Sequence, residues 1–424
     1  MMNNLYVYAD FDWLKKSVLI GVLSYQRVRG GDSYSFEFDK NWLAIYGGIF
    51  LSADLRNFSG RQYSEKEIFG CFSDSLPDRW GRTLIERREL IAAQEEQRVP
   101  RNLSSFDYLI GIDDMSRMGA FRFKESPDKE YINSSPALRV PPLSSVRELV
   151  HAAQEVEKSE SNDVLPEKKW LLQLLAPGSS LGGARPKASV VDQDNNLMIA
   201  KFPSRNDRYD IGLWEHFSHL LAREAGIDSA NTQVVESGKK YHVLLSRRFD
   251  RNNVGQRIHF ASSMAMLGLS DGDGARTGNG YLDIVDFIIQ SGCDVQRNLE
   301  QLYRRIAFNM CIGNCDDHFR NHGFLLTSKG WTLSPAYDLN PSLSFDHSLL
   351  VNETSSSSNL VQLYDDCAKY FLEKNVARTI IDEVCRAMLM WRQFAIKLQM
   401  PAVEIKMFEK RFDACVDSWQ KHRF

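Results

Sequence analysis

The chain has 424 residues, 43% of them apolar and 25% charged, with a net charge of -3. That length exceeds what a single hydrophobic core serves, so two or three domains are expected. The near-neutral charge argues against strong non-specific binding of nucleic acid by this chain alone. Seven dispersed cysteines read as reduced thiols of a cytoplasmic protein. The N-terminal stretch carries acids before any apolar run, unlike a signal peptide, and no apolar run approaches the ~18 residues that cross a bilayer, so no membrane partner is expected.

Residues 5–50 read as strand-rich: LYVYADF and SVLIGVLSY alternate or run apolar, and a glycine turn precedes SYSFEFD. Residues 65–95 read as helical, with Ser64 and Glu67 at the spacing of a capping box. A strand returns at Gly119–Phe123. Residues 1–125 are thus expected to form one α+β module. Residues 126–145 contain four prolines and read as a linker. Residues 146–250 are expected to form a nucleotide-binding lobe and 251–424 a mainly helical lobe.

The first chemical signal is Ser180-Leu-Gly182-Gly183-Ala184-Arg185-Pro186-Lys187. Glycines let a backbone approach phosphates closely. The loop lacks the Walker A pattern, because proline precedes Lys187 and a strand pair, not a long helix, follows. The second strand ends at Lys201, which suits a lysine neutralising nucleotide phosphates. Glu215, on the amphipathic helix with Ile211, Trp214, Phe217, Leu220 and Leu221, is a candidate partner for that lysine. A later strand, from Tyr241 to Ser246, leads into Arg247-Arg248-Phe249-Asp250. Such an exit is expected to hold adenine by backbone groups and an aromatic ring, with Asp250 on the ribose hydroxyls.

The strongest signal is Asp316-Asp317-His318-Phe319-Arg320-Asn321, followed by a hairpin pattern and Asp338. Phosphoryl transfer needs a carboxylate to orient the attacking hydroxyl and oxygen ligands for magnesium. Kinases place the carboxylate and an asparagine five residues apart, then run a strand, a turn and a strand to a metal-binding aspartate. Asp316, Asn321 and Asp338 have that order and spacing. In the same segment Cys311, Cys315, His318 and His322 mimic a zinc pattern. On a continuous helix they would spread over about 16 Å, too far to converge on one ion. The cysteines are therefore expected in the core, and His318 as a brace of the catalytic loop.

Together, residues 180–187, Arg248-Phe249-Asp250-Arg251, residues 316–321 and Tyr337-Asp338-Leu339 resemble the HipA family of bacterial toxin kinases, and the resemblance covers nearly the whole chain. It implies a two-lobed α+β protein-kinase-like fold, related to phosphoinositide kinases, with an extra N-terminal α+β module. It also implies an ATP- and Mg2+-dependent serine/threonine kinase acting on an aminoacyl-tRNA synthetase, with the glutamyl enzyme favoured. The partner implied is a HipB-type helix-turn-helix antitoxin, and operator DNA is reached only through it. Carried over by position, Asp316 is catalytic, with His318 beside it, and Asn321 and Asp338 hold the metal. Gly182, Gly183, Ala184, Lys187, Lys201, Arg247, Phe249 and Asp250 contact the nucleotide, and Ser180 falls where the family autophosphorylates. Two departures stand out: Arg-Pro precedes Lys187 where some relatives carry Gln-Glu, and Arg247 replaces a glutamate. A lipid or small-molecule kinase and a catalytically silent kinase-fold corepressor are the alternative readings.

Overall fold

The computed structural model describes residues 3–29, 31–134, 140–162, 164–175, 183 and 185–422. Two compact units emerge, one of residues 1–207 and 236–261, the other of residues 208–235 and 262–424.

The first unit opens with a five-stranded antiparallel sheet in the order β4-β3-β2-β1-β5. Its strands are β1 (Asn3–Ala9), β2 (Val18–Val28), β3 (Gly31–Phe38), β4 (Arg61–Tyr63) and β5 (Phe121–Lys124). Leu5, Val7 and Ala9 alternate inward along β1, and Phe121 and Phe123 do so along β5, which is the period-two pattern of a half-buried strand. The strand-rich reading of residues 5–50 stops at Phe38. Asp39 accepts hydrogen bonds from the N–H groups of Asn41 and Trp42 and starts helix α1 (Lys40–Tyr46).

The expected capping box at Ser64 and Glu67 starts no helix. Ser64 Oγ accepts from Lys66 N–H at 3.2 Å, and the Glu67 carboxylate accepts from Ser105 Oγ. A single turn, α2 (Gly70–Ser73), follows, and the long helix α3 (Arg79–Glu95) begins where Asp78 caps Gly81 N–H at 2.7 Å. The reciprocal box occurs instead at Ser104 and Asp107, ahead of α4 (Ser105–Gly111).

Helices α5 (Val146–Ser161) and α6 (Lys168–Leu175) lead to the hairpin of β6 (Lys187–Val191) and β7 (Leu197–Lys201). Lys187 pairs with Lys201, and Asp192 closes the turn by accepting from the N–H groups of Asp194 and Asn196. Strand β8 (Thr232–Glu236) lies where the chain passes from the second unit back to the first. Strand β9 (His242–Arg247) then lies antiparallel to β7, with Met198 opposite Arg247. Strand β10 (His259–Ser262) takes the chain out of the first unit.

The second unit is mainly helical. Trp214, Phe217 and Leu221 form the buried stripe of α7 (Ile211–Glu224). Its partners are Phe408 and Phe412 of α14 (Ala402–His422), with Trp214 and Phe408 ring centroids 4.5 Å apart. This packing groups α7 with the helical unit, although residues 146–250 were expected to form one lobe. A short α8 (Ser263–Met266) precedes α9 (Tyr281–Ser291) and α10 (Val295–Ile312), whose residues from Arg305 to Ile312 are all buried. Helices α11 (Leu360–Asp365), α12 (Lys374–Met388) and α13 (Trp391–Lys397) complete the bundle. Between α10 and α11 lies the expected hairpin, β11 (Gly323–Thr327) and β12 (Gly330–Leu333), with Phe324 opposite Leu333. Among the described residues, no helix is long and apolar enough to cross a membrane.

Candidate active site

Helix α10 ends at Gly313, whose φ of 72° is the left-handed cap that favours glycine. A side chain there would meet Ser342 O at 2.3 Å. The chain then runs without regular structure to a short 3-10 turn at Phe319–Asn321. In this stretch Asp316 is exposed and Asp317 buried. Asn321 Nδ2 donates to the backbone carbonyl of Asp316 at 3.1 Å, closing the loop on itself. The hairpin follows, and Ser334 N–H donates to Gly323 O at 2.8 Å where its ends meet. Tyr337 then reaches back, its hydroxyl donating to Arg320 O at 2.5 Å. The three residues singled out in sequence thus lie on two loops that are hydrogen-bonded to each other.

Asp338 has φ 58°, a left-handed conformation that aspartate tolerates better than most residues. Asn340 Nδ2 donates to its Oδ1 at 2.9 Å. Beneath the loop, Asp317 Oδ2 receives Tyr281 Oη at 2.6 Å and Asn309 Nδ2 at 2.7 Å, and it lies 2.8 Å from His322 Nε2. Burial alone would raise the Asp317 pKa; the charge and hydrogen bond of His322, with the bond from Tyr281, hold it below the usual carboxylate range. Burial, then Asp317, pushes the Tyr281 phenol well up.

The bracing histidine is therefore His322. His318, the residue expected in that role, is half-buried, and its Nδ1 has no hydrogen-bond partner among the described residues. Asp317, Tyr281 and Asn309 were not anticipated. The only available hint was Asp317 itself, an ionisable residue beside a proposed catalytic one. Cys311 and Cys315 are buried, and Cys315 Sγ donates to Ser344 O at 3.3 Å. With His322 on Asp317, the zinc-like spacing dissolves into core contacts.

In the first unit, Lys187 is almost fully buried. Its Nζ lies 2.7 Å from Asp78 Oδ2 and 3.3 Å from Gly183 O. Gly183 has φ 98°, which suits a tight glycine turn. Ser180, Gly182 and Ala184 lie outside the described residues. Lys201 is half-buried at the end of β7. Arg247 Nη2 donates to Asn196 Oδ1 at 2.8 Å and to Asn253 Oδ1 at 3.1 Å. Phe249 is half-buried beside Phe260, their ring centroids 5.9 Å apart. Glu215 belongs to the second unit and is buried.

Asp250 departs from expectation. Its side chain is fully buried, 2.6 Å from Arg248 and 2.7 Å from Arg251, and it accepts from Gly119 N–H. Burial opposes its ionisation, but the two guanidinium groups hold its pKa far below the usual carboxylate range. Arg248 and Arg251 spend their remaining donors on the carbonyls of residues 115–119, and Arg257 adds Asp114 O. Oδ1 of Asp250 accepts from Arg248 Nε, and Oδ2 accepts from Arg248, Arg251 and Gly119 N–H; buried on these partners, the carboxylate does not present itself to a ribose.

The fold and these loops define the α+β architecture of a kinase-like protein. Residues 13–104 match the HipA N-terminal domain and residues 179–392 the HipA-like C-terminal domain. The chain belongs to the HipA family. It is 26% identical over 216 residues to the serine/threonine-protein kinase toxin HipA of Shewanella oneidensis, a match covering 45% of this chain and 48% of that protein. The Sinorhizobium fredii protein Y4mE is 25% identical over 333 residues, 73% of this chain and 72% of its own. The chain thus spans about half the length of the first of these curated relatives. A chain of the solved Shewanella oneidensis MR-1 complex of HipA, HipB and operator DNA superposes with a TM-score of 0.66 at 17% identity, covering 97% of this chain and 96% of that one. That likeness is one of fold.

Proposed function

We propose that this protein is an ATP-dependent serine/threonine protein kinase that acts as a toxin, restrained by a helix-turn-helix antitoxin of the HipB type. One observation carries the reading. The loop of Asp316 and Asn321, closed on itself by the bond from Asn321 to Asp316, is tied to the loop of Asp338 by the bond from Tyr337 to Arg320. In this reading Asp316 orients the attacking hydroxyl and accepts its proton. Its exposure suits contact with a protein substrate. Gly183, Lys201, Arg247 and Phe249 are assigned to the nucleotide, as are Gly182 and Ala184. Lys187 joins them only by leaving Asp78. Ser180 is assigned as an autophosphorylation site.

The donor set suits magnesium. Among the described residues no group of three or more His, Cys, Asp or Glu side chains is arranged for a metal. Magnesium, however, needs only one or two protein carboxylates when phosphates and water complete its shell. Asp338 supplies a carboxylate. Asn321 commits its Nδ2 to the loop, which leaves Oδ1 to face a cation. The ion would neutralise charge on the transferred phosphoryl group.

The substrate is assigned as an aminoacyl-tRNA synthetase, the glutamyl enzyme first. The family membership supports this, as it supports an antitoxin that brings the complex to operator DNA. The decisive experiment incubates purified protein with Mg-ATP and a panel of synthetases and reads phosphoserine and phosphothreonine by mass spectrometry. Modification of a synthetase by the native protein, absent with Asp316→Asn, supports the reading. ATP turnover onto lipid or metabolite only would replace it.

A further inference from the structure

We propose that Asp317 and Tyr281 are positioning residues. They hold Asp316 outward and couple its loop to the segment that follows Asp338. What the loop does rests on the kinase reading above; how it is held rests on geometry alone.

Adjacent residues face opposite environments here. Asp316 is exposed, and Asp317 is 2% exposed. An ionised carboxylate in such a place is costly unless it is fully hydrogen-bonded. Its three partners come from three separate elements: Tyr281 opens α9, Asn309 lies on α10, and His322 immediately precedes β11. Asp317 is therefore pinned from three directions, and that fixes the side from which Asp316 projects. Asn314 adds to the floor by donating Nδ2 to Asn309 Oδ1 at 3.2 Å.

Tyr281 does more than cap this network. Its backbone N–H donates to Leu350 O at 2.9 Å. The preceding Gly280 lies so close that an added Cβ would sit 2.1 Å from that same carbonyl. The segment ending at Leu350 is stitched to the loop of Asp316 as well. Ser342 donates both N–H and Oγ to Gly313 O, and Ser348 donates both to Cys315 O. Tyr281 thus touches the segment with its backbone and the loop with its hydroxyl. A displacement of residues 342–350, as when a protein substrate docks beside Asp316, is transmitted to Asp317 through one rigid phenol.

Neither residue is exposed to a substrate, so their action is indirect and the test must separate it from general stability. Tyr281→Phe deletes one hydroxyl and keeps the ring; Asp317→Asn keeps size and removes charge. Hydrogen–deuterium exchange of the peptide spanning 313–322 is read beside kcat and the KM for ATP. The expected result for Tyr281→Phe is exchange faster by about tenfold in that peptide and unchanged in α12 and α14. The kcat should fall by about tenfold or more with the KM for ATP within a factor of about two. Unchanged exchange in 313–322, or a rise spread equally over the whole chain, overturns the proposal. If Asp317→Asn does not fold, Tyr281→Phe alone decides. A native protein without phosphotransfer would defeat the kinase reading, while the exchange result would still judge the positioning.

Discussion

Asp250 accepts a 2.8 Å hydrogen bond from the backbone N–H of Gly119, 131 positions earlier in the chain. Around that bond Arg248, Arg251 and Arg257 collect the carbonyls of residues 114–119. A segment that reads in sequence as a nucleotide hinge is, on its Asp250 side, a fastener to the loop that enters β5. The physical reason is charge balance: Arg248 and Arg251, brought to one loop, need a buried anion, and Asp250 is that anion, while Arg257 pairs with Asp114.

Removing that anion leaves guanidinium groups buried and uncompensated. Asp250→Ala is expected to cost about 3–5 kcal/mol of stability. Urea unfolding measures it. A loss under about 1 kcal/mol would show that water takes over the pairing.

Asp316→Asn should do the opposite. The residue is exposed and makes no side-chain hydrogen bond among the described residues, so stability should stay within about 0.5 kcal/mol. Under the proposed mechanism phosphotransfer falls by about 100-fold or more. A purified variant with near-native turnover would remove Asp316 from the chemistry.

Asp113 offers a pH test. Burial, and then neighbouring Asp114 acting against the Ser116 N–H bond, raises its pKa to about 6. The folded state therefore binds the extra proton between the ordinary carboxyl value and about 6, and this group's contribution to stability falls as pH rises through that window. Asp113→Asn keeps an acceptor for Ser116 N–H and removes the charge. It should stabilise the protein by about 1–3 kcal/mol at pH 7.5, with the gain fading towards pH 4. Equal gains at both pH values would assign the effect to packing instead.

Gly313→Ala tests the helix end from which the Asp316 loop departs. Both its φ of 72° and the 2.3 Å approach of Ser342 O oppose a methyl group. A cost of about 2 kcal/mol or more is expected, measured by thermal unfolding. A native melting temperature would mean that the segment at Ser342 yields freely.

Much of the helical unit and the core of the candidate site were legible in the sequence. Trp214, Phe217 and Leu221 keep helical spacing, and the hairpin expected between Asn321 and Asp338 forms from Gly323 to Leu333. What escaped was decided by tertiary contacts. Ser64 and Glu67 have the right letters for a cap, but Glu67 is taken by Ser105, 38 positions later. His318 and His322 are equally plausible braces on paper. Only the fold puts Asp317, Tyr281 and Asn309 around His322. Lys187 and Asp250 are charged residues in motif positions, and nothing local reveals that each has a buried counter-ion, Asp78 for one and the arginines for the other.

The left-handed backbone at Asp338 has an evolutionary consequence. Glycine is comfortable at φ 58°, and asparagine is nearly as tolerant as aspartate. A single-base change from an aspartate codon reaches either residue. At Asp338 either change removes the carboxylate without straining the backbone. Under the proposed metal role of Asp338, descendants that lost the carboxylate would keep this backbone conformation, and natural selection would act on them through activity rather than through folding.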